Sequence, residues 1–133
     1  MKNKFLTSLF VLTFISVICS CSSKPENLIV GKWQMTEIVT NTPSDSPDVA
    51  EFLKDMAKNS SSVYNSDLTC EVTVNSITTK GRWTILADGK QLHFIDESGA
   101  KVIMTIESIT SDQLVLSTKD GDVVTKQIFS KVN

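Results

Sequence analysis

From Val30 to the C-terminus the chain alternates apolar and polar residues with a period of two, interrupted once. Such alternation marks strands that bury one face and expose the other. The first stretch, Val30–Asn41, places Trp33, Met35, Glu37 and Val39 on one side. The same period returns after Asn59 in segments near 61–66, 69–75, 78–86, 90–96, 100–108, 112–118 and 122–131. Turn formers separate these segments, at Ser66-Asp67, Asn75-Ser76, Asp88-Gly89, Ser98-Gly99, Ser111-Asp112 and Asp120-Gly121. The Asp-Gly pairs suit tight hairpins because both residues tolerate positive φ. Connections this short leave no room for crossovers, so sequence neighbours are antiparallel neighbours in space. A meander of eight strands removes its edges by closing on itself. The predicted fold is therefore all-β, a small antiparallel up-and-down barrel of eight strands.

The interruption is a single helix between strands one and two. Val49, Phe52, Leu53, Met56 and Ala57 recur at helical spacing, which gives an apolar stripe about three turns long. Ser46 suits the N-cap, Pro47 the first helical position and Asp48 the positive end of the helix, while Lys54 and Lys58 lie toward the negative end. Two roles are open to such a helix. It is either a lid across one mouth, hinged at Thr42–Ser46 and Asn59–Ser62, or a fixed plug that completes the core.

The N-terminus is of another kind. Lys2 and Lys4 precede an apolar run from Phe5 to Ile18, and Cys19-Ser20-Cys21 follows. At about 1.5 Å per residue that run falls short of a hydrocarbon core about 30 Å thick, so it reads as an export signal rather than a membrane span. Ile18-Cys19-Ser20-Cys21 resembles the lipobox of bacterial lipoproteins. The resemblance implies lipidation of the Cys21 thiol, cleavage after Ser20 and acylation of the new amino terminus. Cys19 is the competing position, but Ile18 would then occupy a site that needs a small residue. Residues 1–20 are thus expected to be the signal peptide, 21–29 a lipidated tether, and 30–133 the folded domain. Two or three acyl chains on one terminus make a stable anchor. The expected location is the outer membrane. Of the residues just after Cys21 only Glu26 is acidic, a weak signal for the cell surface, which favours the periplasmic side.

Cysteine and charge narrow the classes further. Three cysteines are present and two belong to the signal and the anchor, so Cys70 stands alone and the exported domain is expected to have no internal disulfide. Its sequence neighbours Thr69 and Glu71 supply nothing to activate a thiol, and a buried strand cysteine is the expectation. The chain carries a net charge of −2, and losing Lys2 and Lys4 makes the remainder more acidic. No basic stripe is left for a nucleic acid.

Short motifs along the domain carry a family resemblance. Leu28-Ile29-Val30-Gly31-Lys32-Trp33 enters the first strand with Gly-x-Trp; Tyr64-Asn65-Ser66-Asp67 gives an aromatic and a polar turn; Gly81-Arg82-Trp83-Thr84-Ile85 repeats glycine and tryptophan at a strand entry; Leu114-Val115-Leu116 follows a Thr-Ser-Asp turn. These segments resemble the lipocalin-like lipoproteins of Bacteroidetes, apart from Leu68 where that family tends to carry glycine. The resemblance implies a barrel or half-closed barrel that can enclose an apolar cavity, and it points toward ligand binding.

Alternation puts Trp33, Met35, Val39, Tyr64, Cys70, Val72, Val74, Trp83, Ile85, Leu92, Phe94, Val102, Met104, Ile106, Leu114 and Leu116 inside. For the last strand two facings compete, Val123 with Phe129 or Val124 with Ile128. Eight strands enclose a space that side chains fill or that holds one small ligand. As a pocket, its candidate ligand-binding residues are Trp33, Met35, Trp83, Phe94 and Met104, with Glu37 placed to orient a polar head or to be solvated at the mouth. Arg82 is expected outside.

Little supports catalysis. His93, the only histidine, lies between Leu92 and Phe94 and is expected to face solvent. No nucleophile elbow, phosphate loop or metal-ligand spacing is present, and Asp120-Gly121-Asp122 is explained by a hairpin turn. No enzyme activity, cofactor or metal is expected. Two functions remain. One is a lipid-anchored envelope protein binding a small apolar or amphipathic molecule. The other is a filled, non-catalytic barrel that docks a protein partner in the envelope.

Overall fold

The structure, a computed structural model, describes residues 23–42 and 46–133. The expected signal peptide, 1–20, and the expected lipidation site, Cys21, lie outside the described residues. The elements run α1 (Pro25–Ile29), β1 (Gly31–Thr40), α2 (Pro47–Lys58), β2 (Ser61–Tyr64), β3 (Thr69–Val74), β4 (Ile77–Leu86), β5 (Gln91–Asp96), β6 (Lys101–Ile109), β7 (Gln113–Asp120) and β8 (Val123–Val132). Each strand pairs antiparallel with the next, and β8 returns to β1, closing the barrel. Closure pairs every strand on both sides, although β1 meets β2 only over Gly31–Gln34.

Turn chemistry fixes the hairpins. Asn75 and Ser76 both adopt positive φ between β3 and β4, as do Ala87, Asp88 and Gly89 between β4 and β5. Asp96 organises the β5–β6 turn: its Oδ1 accepts from the Ser98 amide at 2.8 Å, the Ser98 hydroxyl at 2.6 Å and the Ala100 amide at 2.9 Å. Gly81 is needed for a close approach of strands, because a Cβ there would lie 2.2 Å from the Ile95 carbonyl oxygen.

Two interruptions of register change what the alternation predicts. On β1, Met35 pairs with Phe129 of β8, but the next paired residue is Glu37, with Ile128. Thr36 is the extra residue of a bulge, and beyond it the faces of the strand exchange. Ile38 therefore packs on the core, while Glu37 and Val39 are exposed. The expectation that Glu37 shares the inner face with Trp33 and Met35 is corrected here. On β6 the register shifts between Ile106 and Ser108, and the bulged Glu107 accepts a 2.6 Å hydrogen bond from the buried Ser117 hydroxyl.

The barrel has two unlike ends. At one end, α1 and the β2–β3, β4–β5 and β6–β7 turns close over a dense apolar layer. Ile29 and Trp33 are fully buried, and the Trp33 indole donates to the Ile29 carbonyl at 2.7 Å. Lys131 donates to the Leu28 carbonyl at 3.0 Å and holds its ammonium 5.1 Å from the Trp33 ring centroid, a cation–π contact. The segment expected as part of a loose tether is thus, from Pro25, a helical turn seated on the barrel. The Trp83 indole donates to the Asn65 carbonyl at 3.0 Å, so both indoles are satisfied where they are buried.

Toward the other end β1 and β2 part after Gln34, and α2 packs against β1. The Gln34 amide donates to the carbonyls of Ser60 at 2.9 Å and Lys58 at 3.1 Å, tying the end of the helix to β1. Pro47 opens the helix as expected, but the Ser46 side chain makes no capping bond. Ala57 is buried and Leu53 and Met56 are half-buried, whereas Val49 and Phe52 are exposed. The apolar stripe is only half covered.

Candidate functional site: an apolar chamber

Between the dense end and the open end lies a cavity of about 500 Å³. That lies within the roughly 300–1,000 Å³ range of small-molecule sites. Its wall is made by Met35, Tyr64, Val72, Phe94, Met104, Leu116, Gln127 and Phe129, with Ser62 and Thr118 between them. Val74, Ile77 and Val102 form the rim, and Ile77 is 72% exposed. The β3–β4, β5–β6 and β7–β8 hairpins surround this mouth.

The sequence candidates fall into three groups. Met35, Phe94 and Met104 stand on the chamber wall. Trp33 and Trp83 point inward but belong to the packed layer below, so neither indole lines the chamber. Glu37 is on the outer face, carried there by the bulge at Thr36. Val74 and Val102 are inward yet 45% exposed, because they face the mouth. No residue of α2 lines the chamber; the helix braces β1 from the side.

Four wall residues were not on the expected inner list: Ser62 of β2 and three from the last two strands. Phe129, Gln127 and Thr118 come from β7 and β8, where the facing of the last strand was undecided. Register settles it: Leu114 pairs with Phe129, Leu116 with Gln127 and Thr118 with Thr125, so odd-numbered residues of β8 face in. The alternative with Val124 and Ile128 inside is excluded.

The chamber wall is apolar with a few neutral polar groups. Tyr64 is the one titratable group on its wall, and burial pushes its pKa up, so the phenol stays protonated. Cys70 is buried against Gly81, and desolvation pushes its thiol up to about 11. It is a thiol, not a thiolate, at neutral pH. His93 lies on the outer face opposite Thr84 and Ile103, as the alternation requires, but it is only 7% exposed rather than solvent-facing. Its Nε2 is 3.1 Å from Gln91 Oε1. Among the described residues no group of three or more His, Cys, Asp or Glu side chains is placed to hold a metal.

Comparison with known proteins agrees with this geometry. No curated protein matches the chain. Among solved structures, it is similar to a lipocalin-like protein from Bacteroides uniformis, with a TM-score of 0.54, 15% identity, and coverage of 79% of this chain and 99% of that one. It is also similar to a second protein from Bacteroides uniformis, with a TM-score of 0.53, 22% identity, and coverage of 81% of this chain and 92% of that one. Both likenesses concern the fold. Residues 29–116 match the profile of the lipocalin-like domain, from the buried Ile29 through Leu116 on the chamber wall, and the chain therefore belongs to the lipocalin-like domain family.

Proposed function

We propose that this protein is a lipid-anchored envelope protein that holds one small apolar or amphipathic molecule in its barrel. The observation that carries the reading is the chamber of about 500 Å³, apolar on its wall and open at one end. Dense packing fills a barrel that has only a structural interior; here packing stops halfway. The lipocalin-like fold commonly binds small hydrophobic molecules and is typically non-catalytic. Met35 and Met104 give the wall adaptable, polarizable surfaces. Anchoring rests on Ile18-Cys19-Ser20-Cys21, with Cys21 as the lipidated residue and the periplasmic side of the outer membrane as the location.

A neutral fluorescent apolar dye such as N-phenylnaphthylamine tests the binding reading. It should bind the mature domain saturably with one site per chain. Emission that rises only linearly with dye, without saturation, would contradict it. Metabolic labelling with palmitate tests the anchor. Label should be lost in Cys21→Ser; label that persists there and disappears in Cys19→Ser moves the anchor to Cys19.

A further inference from the structure

The chamber wall carries polar groups but no charge. Among the described residues that line it, there is no lysine, arginine, histidine, aspartate or glutamate. An ionised ligand group drawn inside would meet no counter-charge, and burying an unpaired ion is far costlier than burying a neutral polar group. The wall nevertheless holds unused hydrogen-bonding capacity. Gln127 and Thr118 are both half-buried, and neither side chain has a hydrogen-bond partner among the described residues. They are diagonal neighbours on the inner face, since Gln127 pairs with Leu116 and Thr118 is two residues further along β7 toward the mouth. Thr73 differs, because its hydroxyl is taken by Thr78 at 2.8 Å. Thr79 and Asn75 stand at the exposed rim, where water serves them.

We propose that the ligand is an uncharged amphiphile whose hydroxyl or carbonyl group is held by Gln127 and Thr118 while its apolar body lies against Phe94, Met35 and Phe129. This inference rests on the ligand-binding reading above. A glutamine amide donates two hydrogen bonds and accepts through its oxygen, and a threonine hydroxyl does both. The pair therefore serves an alcohol, an aldehyde, a ketone or an ester equally, and it offers a carboxylate no cation. Position supports the assignment. The two side chains sit above the apolar floor and below the rim, where the head of a molecule inserted tail-first comes to rest.

The experiment is displacement of bound N-phenylnaphthylamine from the mature domain by dodecanol and by dodecanoate at neutral pH. These probes share a chain length and differ in charge. Dodecanol should displace the dye at a concentration at least about tenfold lower than dodecanoate. Gln127→Leu should weaken dodecanol relative to the dye by about fivefold, the worth of one net hydrogen bond. Thr118→Val provides the same readout with a smaller change of shape. Dodecanoate displacing the dye as well as dodecanol does, from a parent that binds the dye saturably, would overturn the inference and leave the ligand-binding reading standing. Unaltered dodecanol affinity in both variants would likewise overturn it. Absence of saturable dye binding in the parent would remove the ligand-binding reading, and this inference with it.

Discussion

The rings of Tyr64 and Trp83 meet edge to face, with centroids 6.0 Å apart and planes at 81°. Tyr64 lines the chamber and Trp83 lies behind it, so this contact marks the boundary between the open and packed halves of the barrel. Trp83 also anchors the β2–β3 turn through its indole bond to Asn65. Trp83→Ala should lower unfolding free energy by about 3–5 kcal/mol, the usual range for emptying a buried aromatic site. Urea denaturation measures it. A loss below about 1 kcal/mol would mean that the lower half is not the tightly packed layer described above.

Leu68 adopts φ of 70° in the same turn, a left-handed conformation in which its Cβ is strained. Its side chain is 41% exposed, so little packing offsets that strain. Leu68→Gly should stabilise the domain by about 1 kcal/mol, since relief of strain outweighs the added freedom of glycine in the unfolded chain. A higher urea midpoint at unchanged slope is expected. A lower midpoint would show that Leu68 contributes packing beyond its exposed surface.

Asp96 has its pKa lowered, first by the hydrogen bond from the Ser98 hydroxyl and then by backbone amides of the turn; Asp67 is lowered in the same way by Thr69. A carboxylate whose native pKa lies below its unfolded value, about 3.9, adds stability above that value. The contribution is lost as pH falls through the lower native pKa. Stability should therefore decline on acidification below about pH 4, and Asp96→Asn should flatten that limb. Unfolding midpoints across the acid range measure this. An acid limb of the same steepness in Asp96→Asn would assign it to other carboxylates.

Much of the barrel was legible because period-two alternation and turn residues act locally. The eight strands and the Pro47–Lys58 helix follow from residues whose preferences are expressed within a few positions of themselves. Glu37 shows where this fails. A bulge adds one residue to a strand, and nothing in Trp33-Gln34-Met35-Thr36-Glu37 announces it; it appears only when β1 is matched against β8. The tryptophans show a second limit. Alternation assigns a residue to the inner face but not to a height along the barrel axis, so Trp33 and Phe94 look equivalent in sequence. One is part of the packed end and the other faces the chamber. His93 shows a third: it is on the outer side of the sheet yet covered there, because exposure depends on neighbouring strands as well as on facing.

The central claim, a chamber that packing leaves empty, is tested most directly by Met104→Trp. Met104 is half-buried on the chamber wall, opposite Leu92 of β5. An indole at this position would project its added volume into the cavity. The measurement is dye affinity and urea midpoint of this one variant beside the parent. Empty space predicts dye affinity reduced by at least about tenfold, as bulk displaces ligand, with stability changed by less than about 1 kcal/mol. Destabilisation by about 1–3 kcal/mol, the cost of overpacking a filled core, with no saturable dye binding in the parent, would contradict it.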